Sequence, residues 1–361
     1  MAELTREKLF AIKPGTPDGE IYSRIKYKWD HLSKPIDAFG DFEEAVCRIG
    51  AIRNTDMPKL DKRSLLVFCS DNGIVGEGVS QTGSEVTLQV ARMLGKGVSS
   101  ANTLAKSVAA ECIPVNVGID TDEDIEGVRA CSRRRGSRNF LKEPAMTEEE
   151  VLYAINAGME LAGELAGKGN DILLTGEMGI GNTTTSTALL CLLKGCDPDE
   201  VTGRGAGLDD EGLKRKKAVI AKAVSIYGGK AYNSEKEKAF EALCSVGGYD
   251  IAAMCGTFIG GAVYGLPVVI DGLISATAAL VAEMMVPGCR EYMLASHCGR
   301  EYGISGILES LGLKAFINGN MALGEGTGAL MLLPLLDTVL AYYLNASTFV
   351  QGGIKEYERF S

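Results

Sequence analysis

The stretch Asp171-Ile172-Leu173-Leu174-Thr175-Gly176-Glu177-Met178-Gly179-Ile180-Gly181-Asn182-Thr183-Thr184 passes from a short apolar run, through three glycines, into a helical pattern that continues to Leu193. Asp171–Thr175 is too short for a helix and apolar without alternation, so it reads as a strand buried on both faces. A buried strand, a glycine turn and a helix in succession make the unit from which parallel α/β sheets are built. The same unit recurs on both sides. Ser64–Ser70 (SLLVFCS) reads as a strand ending at the turn Asp71-Asn72-Gly73, and 85–106 keeps helical spacing. Ile113–Gly118 is a further strand, and Thr147-Glu-Glu-Glu150 is a capping box opening another helix. A helix over 251–263, a strand over 267–270 and a helix over 273–285 follow. The pattern predicts an α/β fold: a parallel sheet wrapped by helices, with ligands at the carboxyl ends of its strands. Residues 1–60 and 306–361 are helical with few strand signals, which predicts a small helical domain built from both chain ends beside a large α/β domain over 61–305.

Composition narrows the chemistry. The 361 residues include 37 Lys+Arg against 47 Asp+Glu, a net charge of −10, so neither nucleic acid nor an anionic membrane is an expected partner. Two histidines leave little room for a His-rich metal site or a Ser-His-Asp triad, and no metal is expected. The ten cysteines form no CxxC pair and many sit in apolar runs, as reduced thiols of a cytoplasmic protein would. MAELTREKLF carries no apolar leader segment. The charge-free run Ile251–Ile270 has bilayer-spanning length, but four glycines and Pro267 make it a buried helix running into a strand, so no membrane span is expected.

Three glycine loops carry the candidate chemistry. Gly176-x4-Gly181-x-Thr183 has the spacing of a Walker A loop with Asn182 in place of the lysine that neutralises nucleotide β/γ-phosphates. That loss argues for a single phosphate held by backbone N–H groups and a helix N-terminus. Glu177 puts a carboxylate beside this cradle. Gly203-Arg204-Gly205-Ala206-Gly207, leading through Asp209 to Lys214-Arg215-Lys216, is a second phosphate or ribose contact. Leu323-Gly324-Glu325-Gly326-Thr327-Gly328 sets a carboxylate between glycines ahead of an apolar helix, where it can act as a general base or cap the helix. Ser296-His297 offers a hydroxyl for phosphate. These residues alone leave open a phosphoryl-sugar enzyme, a degenerate P-loop nucleotidase, and a non-catalytic or partner-dependent nucleotide-binding protein.

GEMGIGNTTTSTAL (176–189), GRGAGLDDEGLKRK (203–216), GGYDIAAMCG (247–256), PVVIDGLISATAAL (267–280) and LGEGTGAL (323–330) resemble the nicotinate-nucleotide:dimethylbenzimidazole phosphoribosyltransferase family. SKPIDAFG (33–40), SDNGIVGEGVS (70–80) and EPAMTEEE (143–150) extend the likeness over most of the chain. The resemblance implies a Rossmann-like sheet with a small helical domain, a homodimer, and transfer of phosphoribosyl from nicotinate mononucleotide to an aromatic base in cobamide synthesis, without a cofactor. It implies Glu325 as the base that deprotonates the acceptor and Glu177 as a second carboxylate near the ribosyl centre. Gly176, Gly179, Gly181, Asn182, Thr183, Gly203, Arg204, Gly205, Lys214, Ser296, Gly324 and Gly326 are the implied substrate-binding set, and Ser80, Ser84, Glu85 and Leu323 the acceptor pocket. No pyrophosphate leaves, so the chemistry demands no Mg²⁺. The departures fall on the acceptor side. The family's Asp-His reads Asp71-Asn72, its aromatic-Pro-Gln-Glu-Val-Thr reads Thr82-Gly83-Ser84-Glu85-Val86-Thr87, its Gly-His reads Gly303-Ile304, and a glutamate is Asp250. The acceptor is therefore dimethylbenzimidazole, another benzimidazole, a purine or a phenol.

Overall fold

The computed structural model describes residues 4–358. Its sheet has seven strands: β1 (Arg63–Ser70), β2 (Glu111–Gly118), β3 (Arg129–Ala130), β4 (Ile172–Met178), β5 (Val268–Ile270), β6 (Met293–His297) and β7 (Ala315–Ile317). They lie in the order β3-β2-β1-β4-β5-β6-β7, and every pairing is parallel. The chain runs outward in one direction from β1 to β3 and in the other from β4 to β7. The reversal between β1 and β4 is where an open parallel sheet forms a ligand crevice at its carboxyl edge. Register sets Phe68 opposite Glu177 and Cys69 opposite Met178, so the turns after both strands meet at that crevice.

Side chains alternate across the sheet. Leu66, Phe68 and Leu173 face a core with the helices Glu148–Gly167, Tyr249–Tyr264 and Leu273–Met285. Leu65, Val67 and Leu174 face the other core, which contains Ile25, Trp29, Ile49, Leu333 and Tyr343 from both ends of the chain. Trp29 is fully buried, stacked parallel to Tyr342 at 6.3 Å and packed on Tyr343 at 5.0 Å. The helices Gly19–His31, Asp41–Arg53 and Thr327–Asn345 thus share one core with a sheet face, while Arg6–Ala11 and Ile304–Leu311 pack into the core on the other face. β7 lies within the segment expected to be helical, and it extends the sheet past the boundary placed at 305. A three-residue Ala-Phe-Ile strand paired only with β6 is too short to give a periodic signal.

Close helix packing uses glycine. A Cβ on Gly256 would lie 2.7 Å from the Ile155 carbonyl carbon, and one on Gly158 would lie 2.8 Å from Thr257 N, so the two long helices pack backbone to backbone. The charge-free run divides into the helix Tyr249–Tyr264 and β5, both interior. One helix, Thr327–Asn345, is long and apolar enough to cross a membrane by length and composition, and 56% of its most apolar window is buried. The helix predicted over 85–106 is two helices, Glu85–Gly95 and Ser100–Ser107. Gly97 at φ +72° breaks it, and Ser99 restarts it with a capping box to Asn102.

Candidate functional site

A cavity of about 150 Å³ opens at the carboxyl ends of β1 and β4 and continues into a smaller lobe toward β5 and β6. The turn after β4, Gly205 and Ala206, Glu301, and the Ala322–Glu325 loop enclose it, and Ser80 stands at its edge.

One end is built for an anion. Gly181 at φ +91° turns the chain into the helix Asn182–Lys194, whose first N–H groups and dipole favour negative charge. A Cβ at Gly181 would meet Val75 at 2.7 Å, and one at Gly179 would lie 2.7 Å from Ser70 O, so only glycine lets this turn lie against the β1 turn. Behind it Lys216 is fully buried, its Nζ donating to Thr183 Oγ1 at 2.8 Å. Burial pulls this ammonium down to about 8, with Glu301 opposing. Gly205, at φ +56°, passes so close that a Cβ there would lie 3.2 Å from Nζ.

Lys214, the lysine expected at the phosphate, is not the one at this turn. Lys214 is exposed, and Lys216 lies two residues, about 200°, further round the helix Asp210–Tyr227. The buried set of that helix (Gly212, Lys216, Val219, Ile220, Ala223) carries a helical period that marks Lys216 as inward. Arg204 is also exposed, bonded to Leu208 O at 2.9 Å and to Asp210. Ser296 is buried beneath the cavity, its hydroxyl directed at Asp271 O (3.3 Å) and His297 Nδ1 (3.0 Å). Gly203 lies outside the lining, and Gly326 is buried under the loop.

The wall beside this cradle is acidic. Glu177 is only 8% exposed and lines both lobes. It falls within β4, which runs three residues beyond the predicted strand. The Asn182 amide donates to Glu177 Oε2 and, at 2.9 Å, to Asp250 Oδ2. Burial, with Asp250, Asp271 and Glu301 adding to it, pushes Glu177 up to about 8 against the Asn182 hydrogen bond. Burial likewise raises Asp250 to about 6, and raises Asp271 and Glu301. A cavity walled by carboxylates that resist ionisation is prepared for a cationic group.

Glu325 has φ +56° between Gly324 at +87° and Gly326 at +76°. Its carboxylate accepts from Ala101 N at 3.1 Å, the first turn of the helix Ser100–Ser107. The helix that Glu325 precedes is capped by Asp271 instead. Asp271 accepts from Gly326 N (3.2 Å), Gly328 N (2.8 Å) and Ala329 N (3.0 Å). A Cβ at Gly176 would lie 2.8 Å from the Glu325 carbonyl, so this glycine lets the loop rest on β4 and sets Glu325 beside Glu177. Asp271 and Lys216 are buried groups at this site that the sequence motifs did not single out. Leu323 and Ser80 line the cavity, while Ser84 and Glu85 begin the helix Glu85–Gly95 outside its lining. Elsewhere Asp30, Asp37 and Glu43 lie close enough to share a cation, but Lys26 reaches Glu43 at 3.5 Å and pairs with Asp37, and Lys34 reaches Glu43 at 2.7 Å.

A family model described as phosphoribosyltransferase matches residues 15–354. Nicotinate-nucleotide–dimethylbenzimidazole phosphoribosyltransferase of Acetivibrio thermocellus is 38% identical over 344 residues, covering 94% of this chain and 97% of that protein. The protein of that name from Ruminiclostridium cellulolyticum is 40% identical, covering 94% and 95%. The crystal structure of CobT from Thermus thermophilus superposes with a TM-score of 0.87 at 35% identity, covering 94% of this chain and 100% of that one.

Proposed function

Since the chain belongs to the nicotinate-nucleotide–dimethylbenzimidazole phosphoribosyltransferase family, a pentosyltransferase family of cobamide lower-ligand synthesis, we propose that its cavity takes the phosphoribosyl group of nicotinate mononucleotide and passes it to an aromatic base. The observation that carries this reading is the polarity of the site. A helix N-terminus with Lys216 behind it stands beside the carboxylates Glu177 and Glu325 in one cavity. Nicotinate mononucleotide has matching groups, a phosphate and a cationic ring nitrogen on C1′.

The phosphate binds at Gly179–Thr183, Gly205 and Lys216. The C1′–nitrogen bond breaks with its electron pair going to the pyridine nitrogen, which is already cationic and needs no acid. The ribosyl carbon becomes oxocarbenium-like, and the ionised Glu177 stabilises it across the dry cavity. The acceptor nitrogen attacks from the opposite face, and its N–H proton passes to Glu325. Products are nicotinate and an α-ribazole phosphate-type nucleotide. Ser80 and Leu323 stand where the base enters, with Ser84 and Glu85 behind them. We take the enzyme to be a homodimer of the cytoplasm; the ten free thiols suit a reducing compartment.

Calorimetry with nicotinate mononucleotide and with ATP·Mg, followed by an acceptor screen with products identified by mass, tests this reading. Saturable binding of the mononucleotide with benzimidazole-dependent product is expected. Binding of ATP·Mg alone overturns it. Ser84→Gln and Glu85→Ala should alter the ranking among benzimidazoles, adenine and phenols, and an unchanged ranking removes them from the acceptor pocket.

A further inference from the structure

We propose that Asp250, which does not line the cavity, is a positioning residue for ribosyl transfer: through the Asn182 amide it holds Glu177 on the wall and sets when that carboxylate carries charge. The inference rests on the reading above. The geometry is a three-member chain. The two protons of Asn182 Nδ2 go to two different carboxylates, Glu177 Oε2 and Asp250 Oδ2. Asp250 is fully buried and fixed from its far side, its Oδ1 accepting from Ile251 N at 3.0 Å and its own N–H reaching Ser70 Oγ at 3.4 Å. Backbone is fitted to it on two sides, since a Cβ at Gly179 would lie 2.9 Å from Oδ2 and one at Gly248 2.7 Å from Oδ1. An unmoving carboxylate therefore aims Asn182, and Asn182 aims Glu177.

The same chain controls charge. The groups bearing most strongly on Glu177 are Asp250 from the helix Tyr249–Tyr264, Asp271 after β5, and Glu301 after β6, all carboxylates, with the Asn182 amide opposing them. The Cys69 thiol on β1 faces Glu177 as well and is itself pushed upward, by burial first and then by Glu177. Lys216 bears on Glu301 in turn. Two buried carboxylates on one amide disfavour a second negative charge until a cation arrives. A donor with a cationic glycosidic centre supplies that cation, and the proton released from Glu177 goes to solvent. The cavity then holds its full negative charge only while there is positive charge to stabilise.

The test is kcat/KM for nicotinate mononucleotide against pH, from 6 to 9.5, in wild type, Asp250→Asn and Glu177→Gln. Asparagine keeps an acceptor for Asn182 but removes the charge. The wild-type rate should rise through a limb near pH 8 that Glu177→Gln lacks, set against a descending limb from the Lys216 ammonium, itself pulled down to about 8, that all three proteins share. In Asp250→Asn the limb moves at least one unit lower. A displacement of one unit then raises its rate at pH 6.5, as a fraction of its own pH-independent limit, about eightfold. A uniformly slower Asp250→Asn enzyme with an unmoved limb overturns the inference, because a merely structural role lowers the plateau without moving the limb. Should Asp250→Asn fail to fold, Asp250→Glu serves. It retains the charge and should keep the limb near pH 8; a limb lowered as if the charge were gone counts against the inference. A wild type that releases no nicotinate at any pH is instead a failure of the underlying reading.

Discussion

In the proposed reaction Glu325 and Glu177 take different parts because their surroundings differ. Glu325 sits on a glycine-flanked loop with its carboxylate on the Ala101 N–H, accessible to an acceptor proton. Glu177 is sealed in and protonated near neutrality. Glu325→Gln should lower turnover by roughly 10²–10⁴ while nicotinate mononucleotide binding persists, since a positioned base acts on the chemical step. Turnover within a fewfold of wild type in that variant removes Glu325 from the mechanism. Lys216→Met should raise the donor KM by roughly ten- to a hundredfold, the range of a lost hydrogen bond to a charged group, and leave acceptor ranking alone. Lys214→Met, on the exposed side of the same helix, should have little effect on either. Glu177 also leaves a signature on stability. Its carboxyl rises from 4.5 in the unfolded chain to about 8 in the folded one, so the folded state binds the extra proton between those values. The stability it lends is complete below about pH 4.5 and is lost as pH climbs through 8. Glu177→Gln should flatten the decline of Tm between pH 5 and 8.5. An equally steep decline in the variant places the cause elsewhere.

At the scale of elements, the glycines serve close approach. Gly176→Ala forces a Cβ to within 2.8 Å of the Glu325 backbone and should displace the loop, cutting turnover while phosphate binding at the helix Asn182–Lys194 survives. Gly256→Ala sets a methyl against the Ile155 carbonyl and should cost about 1–3 kcal/mol in denaturant unfolding, with little change in donor KM. The same elements explain what the sequence made legible. Ile172–Thr175 and Leu65–Cys69 are continuous apolar runs because both faces of their strands are buried, and the glycine turns after them are local signals. Short strands with few partners, such as Arg129–Ala130 and Ala315–Ile317, give no period. The break between Gly95 and Ser100 hides inside a helical pattern, yet it creates the N-terminus on which Glu325 rests. The role of Asp271 has no local signal, because its three backbone donors come from residues more than fifty positions away.

Across the whole molecule, strand order does the assembling. The reversal between β1 and β4 brings together turns that lie a hundred residues apart in sequence. The β5 and β6 turns close the second lobe with Asp271, His297 and Glu301. The helices Gly19–His31 and Thr327–Asn345 lie against one sheet face, locked by Trp29 between Tyr342 and Tyr343, so Trp29→Ala should cost about 3–5 kcal/mol. The second of these helices follows directly on the loop bearing Glu325, and that variant should lose turnover before it loses donor binding. What passes through the cavity is open to one direct measurement. Wild type and Glu325→Gln are incubated with nicotinate mononucleotide and dimethylbenzimidazole, and released nicotinate and ribosylated base are quantified together by mass. Equal amounts of both from wild type, with a collapse of both in Glu325→Gln that keeps its donor affinity, is the expected result. Nicotinate released without any ribosylated base, or no release with any acceptor, contradicts the assignment of this site to phosphoribosyl transfer.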